Sequence, residues 1–252
     1  MTANSGSVDQ EARRVVVAAK TAIFDLGGAW MTGESEEAAT EAAGLEGWQL
    51  YFLGRHGVMG DVDADVITAV AYVFPPARVR SEWEAARRTL TPEEAVRRYA
   101  EVCHEWGRSK LAAFDGAERL IDLAGRVVDA VDVAGLPLFA GWRALPQPAD
   151  TPARCAHLMQ LLREHRGACH GLAVVALGLH PLVAILLDRA ENAEEYGWER
   201  PYPTVTDHDR QLRAQVEEVT DDLVTPPYTA LTPAEQGELL DLLSAAHKLA
   251  FG

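Results

Sequence analysis

Apolar residues recur along this chain at intervals of three and four rather than two. Val15, Val16, Ala19, Ala22, Ile23 and Leu26 form the first such face, and the spacing predicts a helix over 8–30. Glu34 to Ala43 reads as a short polar helix closed by Gly44. Leu45 to His56 follows with Trp48, Leu50, Tyr51, Phe52 and Leu53, and stops at Gly57 and Gly60. Asp61 or Asp63 can cap a further helix through Val66, Ile67, Val70 and Ala71, which Pro75 and Pro76 end.

Later helices are announced by their starts. Thr91-Pro92-Glu93-Glu94 puts Thr at the cap, Pro at the first helical position and a Glu where it reaches back to the cap. Thr232-Pro233-Ala234-Glu235 repeats the device, and Thr151-Pro152 is a third Thr-Pro start. Helices are expected over 92–113, 115–134, 151–178, 181–196, 206–224 and 232–250. No β-branched run with period two lies between turn residues. The pattern predicts an all-α, multi-helix bundle of about nine to ten helices. It reads as a single domain over 1–252, with an internal joint near 145–150 where Pro146, Pro148 and Asp150 gather.

Composition narrows the partners. The chain has 252 residues, 48% hydrophobic and 24% charged, an ordinary globular balance. Its net charge is -15, and residues 190–252 hold 13 acids against 4 bases. Nucleic acid needs a clustered positive surface, so none is expected as a partner. No apolar run reaches the length of a membrane span, so no membrane partner is expected either. The start, Met1 to Glu11, is polar with no early basic cluster and does not read as a secretion signal. Cys103, Cys155 and Cys169 make no disulfide framework. The expected compartment is the cytoplasm. The sequence does not fix the oligomeric state and leaves a homodimer open.

Candidate chemistry concentrates in two places. The first is Arg163-Glu164-His165-Arg166-Gly167-Ala168-Cys169-His170, a polar run inside an otherwise apolar helix. His157, Leu161 and Glu164 share one face of that helix, and Arg166 and His170 share another. A Glu oriented by Arg beside imidazoles is an acid/base set. The plain alternative is a group of inter-helix ion pairs with incidental histidines. The second place is Gly54-Arg55-His56-Gly57-Val58-Met59-Gly60-Asp61, where Arg55 can grip an anion or a carboxylate and the glycines let backbone turn or approach a ligand. Trp48 and Phe52 lie on helical spacing beside it, as core or as walls of an apolar pocket. His165 and His170 do not converge around a helix, so no metal ligand set is assigned and the cofactor stays unknown.

These residues resemble a family of actinobacterial proteins described as a helix-turn-helix family. The likeness runs through Gly44-Leu45-Glu46-Gly47, Tyr51-Phe52, Gly54-Arg55 and Gly60, then Val62 to Pro76. It continues in Gly135-Leu136-Pro137-Leu138 with Leu145-Pro146 and Pro148. Its most distinctive part is His157 with Leu162-Arg163-Glu164-His165-Arg166-Gly167 and His170. The resemblance implies an all-helical fold and carries no particular activity. Where relatives read Arg-Gly-Asp-x-His, this chain has Ala168. Relatives also carry a winged-helix segment after an Arg-Gly-Trp-like element. Here Tyr196-Gly197-Trp198 is similar to that element, but the chain passes through Pro201 and Pro203 straight to Arg210, Arg213 and Glu217. The segment that would read DNA is missing.

Two functions follow. The first is an enzyme of specialised metabolism acting on a small molecule by acid/base chemistry. Glu164, His165 and His170 are its catalytic candidates, and Arg55, His56, His157, Arg166, Trp48 and Phe52 its substrate-binding candidates. A rearrangement, cyclisation or elimination suits the absence of a nucleophile motif. The alternative is a non-catalytic ligand-binding or sequestering protein derived from a regulator that lost DNA binding. Both expect the candidate residues to converge on one partly buried cavity.

Overall fold

The computed structural model describes residues 5–252, with side chains from Gln10 onward. Most of the polar start Met1 to Glu11 therefore lies outside the described side chains. Twelve α-helices and no strand occur among the described residues. They are α1 (Ser5–Gly28), α2 (Glu34–Ala42), α3 (Gln49–His56), α4 (Ala64–Val70), α5 (Pro76–Ala86) and α6 (Pro92–Lys110). Then come α7 (Ala117–Asp129), α8 (Pro137–Arg143), α9 (Thr151–Leu177), α10 (Pro181–Asp188), α11 (Asp207–Val224) and α12 (Pro233–Phe251).

The count exceeds the expected nine to ten for a physical reason. Pro75-Pro76 reads as a stop, but Pro76 occupies the first turn of α5, where its missing N–H costs nothing. Pro137 starts the short helix α8 in the same way. Other ends are shorter than expected. α4 stops at Val70, and α10 stops at Asp188 because Arg189 leaves the helical region at φ -153° and ψ 60°. Asp150, rather than Thr151, caps α9, its carboxylate accepting from the Ala153 amide. The boxes at Thr91/Glu94 and Thr232/Glu235 form as read, and Thr206/Asp209 makes a third.

α9 is the axis. Every residue from Cys155 to Leu162 is buried, so this stretch has no solvent face. α1, α6, α7, α8 and α11 all pack against α9, and α3 packs on α6. One apolar cluster runs from Ala12 to Ala250, with a smaller one where α10 and α11 meet the end of α9 and another where α10 meets residues 193–202. α3 lies tight on α6 because Gly54 faces Tyr99. A β-carbon at position 54 would stand 2.4 Å from the Tyr99 β-carbon. Gly54 thus serves helix packing and not the approach of a ligand. Among the described residues no single helix is long and apolar enough to cross a membrane.

Candidate functional site

Glu164 enters the interior from α9 and would be costly there alone, because an ionised carboxylate loses its hydration on burial. Its side chain is 1% exposed. Arg55, at the end of α3, supplies the counter-charge. Its Nε donates to Glu164 Oε1 at 2.8 Å and its Nη2 to Oε2 at 2.8 Å, a two-pronged ion pair joining positions 109 apart. Gln160, one turn before Glu164, donates to the same Oε1 at 2.8 Å. The remaining arm of Arg55 donates to the Tyr51 hydroxyl at 2.7 Å, and Trp142 of α8 donates to the Arg55 carbonyl at 2.9 Å. A second guanidinium, Arg163, stands 3.8 Å from Glu164 Oε1.

Burial alone would hold Glu164 neutral, but the charge and hydrogen bonds of Arg55 outweigh it and keep the carboxyl below its ordinary value. Burial likewise opposes the charge on Arg55, and Glu164 reverses that and raises it. Arg163 goes the other way. Burial and the neighbouring Arg55 lower it, with Glu164 compensating only in part.

The histidines are held neutral. His56 is fully buried and its Nδ1 lies 3.0 Å from the Phe52 carbonyl. A carbonyl only accepts, so Nδ1 carries the proton and Nε2 is the bare nitrogen. Burial and Arg55 push His56 down to about 3. His157 lies on the other side of Trp142, with ring centroids 6.2 Å apart, and shares a hydrogen with His104 at 3.3 Å. Burial, then His104, lowers His157 to about 4.

The expected convergence is only partial. Arg55, His56 and Glu164 come together, and His157 joins them through Trp142. Trp48 and Phe52 lie beside Tyr51 in an aromatic group with Phe74 and Tyr196. His165, Arg166 and His170 face elsewhere. His165 packs on Phe139 of α8 at 5.6 Å, and burial with Arg166 lowers it to about 4. Arg166 reaches α11, donating to Asp221 at 2.8 Å and Glu217 at 3.1 Å. His170 also faces α11, 3.2 Å from the Thr220 hydroxyl. Burial, then Arg213, lowers it to about 4. The reason is rotation about the helix: residues 164 and 166 are about 200° apart and meet different neighbours.

Several members of the group were not singled out from the sequence. Trp30 and Tyr99 pack tilted with centroids 4.8 Å apart, both meet Trp142 edge-on, and Gln160 holds the carboxylate. Gln160 sits one turn from Glu164 and was legible by spacing. Trp30 and Tyr99 carry no spacing signal. Five buried polar atoms in this neighbourhood have no hydrogen-bond partner: Trp30 Nε1, His56 Nε2, His157 Nε2, Gln160 Oε1 and Arg163 Nε. Two shallow surface depressions, one along α1 at Arg13, Arg14 and Val17 and one at Asp222, Thr225 and Thr229, contain none of the candidate residues. Among the described residues no three His, Cys, Asp or Glu side chains are arranged to hold a metal ion.

Comparison with known proteins adds one finding. No curated protein and no solved structure matches the chain. A sequence profile described as a helix-turn-helix family matches residues 26–202, well over half of the length. Arg55 and Glu164 both lie inside that span, whereas Glu217 and Asp221, which hold Arg166, lie beyond it. By that match the chain belongs to the helix-turn-helix family.

Proposed function

We propose that this protein binds a small organic molecule at the Arg55–Glu164 group and holds it without turnover. The observation that carries the reading is the set of five buried, unpartnered polar atoms around one ion pair. Native interiors leave few such atoms, because each costs about 1–3 kcal/mol. Trp30 and Arg163 offer donors, Gln160 Oε1 and His56 Nε2 offer acceptors, and His157 Nε2 is either according to its tautomer. Tyr51, Tyr99 and Trp142 pack edge to face next to them and make the surroundings apolar. Mostly apolar walls with a few polar groups are the usual make-up of a ligand site.

Acid/base catalysis is less well supported by the same geometry. A general acid or base works best with a pKa near the operating pH. Glu164 is held ionised by three hydrogen bonds, and His56 and His157 are lowered to about 3 and about 4. DNA binding, which the family's description suggests, has little support either. One closely packed, short-turn helix pair is α4 and α5, joined by residues 71–75. Of the four arginines in and just after α5, Arg80 and Arg87 are held by Asp65 and Asp61, and Arg78 by Glu82. Those charges are neutralised before any phosphate arrives.

The test is native mass spectrometry after incubation with a library of aromatic metabolites, on the wild type and on Gln160→Leu. Retained adducts that Gln160→Leu loses support the reading. No adducts at all, or adducts indifferent to Gln160, overturn it.

A further inference from the structure

The charges around this group do not balance. Arg55 and Glu164 neutralise each other through two hydrogen bonds. Gln160 takes a further position on the carboxylate, so Glu164 is occupied. Arg163 is left over: its closest approach to Glu164 is 3.8 Å, and its buried Nε–H has no acceptor. Most other guanidiniums of this acidic chain grip a carboxylate directly.

Arg163 also has an unusual setting. Its guanidinium lies against the end of α1, where a β-carbon on Gly28 would stand 2.7 Å from Arg163 Nε. Glycine at this point makes the room the side chain uses. Phe24, one turn back on α1, carries two guanidiniums, Arg163 at 5.1 Å and Arg189 at 4.2 Å from its centroid. Phe24 and Arg189 are exposed, while Arg163 is 19% exposed and Arg55 12%. Among the described residues no carboxylate lies within ion-pair reach of Arg189. Its neighbour Asp188 is taken by Arg213 at 2.6 Å, and Asp25, beside Phe24, by His247 at 2.8 Å. The positive charges thus run from the exposed Arg189 to the more buried Arg163 and Arg55, with Arg189 and Arg163 on one aromatic ring.

We propose that Arg163, with Arg189 at its mouth, is the seat for the carboxylate of a small aromatic acid. The inference rests on the binding function proposed above and names the ligand class for that site. An incoming carboxylate gives Arg163 Nε its acceptor and cancels the surplus charge. Trp30, two residues beyond Gly28, carries the other unpartnered N–H of the group, and the ring of the ligand inserts beside the tilted and edge-on rings of Trp30, Tyr99 and Tyr51. Arg55 keeps Glu164 throughout, so the ligand does not compete with the existing ion pair. Arg189 raises the rate of encounter and steers the acid group inward.

Isothermal titration calorimetry with phenylacetate and indole-3-acetate, each against its amide, tests this. The acids are expected to bind roughly tenfold or more tightly than the amides, the scale of one charge-assisted contact. Arg163→Met should bring acid and amide to equal affinity, and Arg189→Gln should weaken the acids a few-fold and leave the amides unchanged. Amides binding as tightly as acids to the wild type would overturn the anion seat and leave the binding function standing. Failure of both acids and amides to bind would overturn both. Should Arg163→Met not fold, the exposed Arg189 decides the matter: an unchanged acid-to-amide ratio in Arg189→Gln overturns the proposal.

Discussion

Glu164 and Arg166 stand two positions apart on α9, and both are held by ion pairs, yet the two pairs have opposite characters. Glu164 is sealed in, and it is the carboxylate that Arg55 and Arg163 share. Arg166 belongs to a half-exposed mesh on α11, where Glu217 binds Arg166, Arg213 and Lys20 and Asp221 adds a second acid. Glu217 has three partners, Arg166 and Arg213 have two each, and the mesh is partly open to solvent. The sealed pair is closed off from solvent, and only one guanidinium grips its carboxylate directly. A buried pair contributes little net stability when intact, but losing one partner strands the other. A surface mesh gains little and loses little. The motif that looks like one cluster in sequence is therefore two devices.

The largest expected effect separates the buried imidazoles from the rest. His56, His157, His165 and His170 sit at about 3 to 4 when folded, against 6.5 in an open chain. Lowered histidine values mean that the unfolded chain binds more protons between those limits. Stability is then complete above about pH 6.5 and falls as pH drops towards 4. Urea midpoints measured across this range should decline by more than any substitution below causes. A flat profile would show that the interior admits these protons.

Glu164→Gln comes next. It leaves Arg55 and Arg163 buried without a carboxylate, and the expected loss is about 3–5 kcal/mol in urea unfolding. A loss under about 1 kcal/mol would mean that the pair is solvated, and the contrast with the mesh would collapse. Glu217→Gln is the smallest effect. Arg166 keeps Asp221 and Arg213 keeps Asp188, so about 0.5–1 kcal/mol is expected, shrinking in high salt. Equal costs at 164 and 217 would break the comparison outright.

Much of the fold was legible because caps and apolar spacing are local. Thr91 and Thr232 start their helices by bonds made within four residues. The unread helix α5 carried its signal too, since Val79, Trp83 and Ala86 fall on one face and are buried. The double proline masked it by resembling a terminator. The site was half legible. Arg55 and Glu164 stood out as polar residues in apolar helices, but their union depends on α3 docking against α6 and α9. Nothing local tells Glu164 to choose Arg55 or Arg166 to choose α11. That choice is made by rotation about α9 and by which helix arrives on each side. His104, which shares a hydrogen with His157, carries no local sign of that contact, because its partner lies 53 positions away.

Gly54 and Arg55 are consecutive, so the notch that fits Tyr99 and the charge that meets Glu164 move as one piece. Helices packed by ridges and grooves have neighbouring staggers of similar contact area, and apolar side chains alone discriminate weakly among them. Sliding α3 by one turn would keep much of its greasy contact. It would also carry the guanidinium about 5 Å from its carboxylate and drive a helical side chain into the tyrosine. The notch and the charge together act as a two-toothed key, which admits one alignment of α3 against α6 and α9 and penalises the near misses.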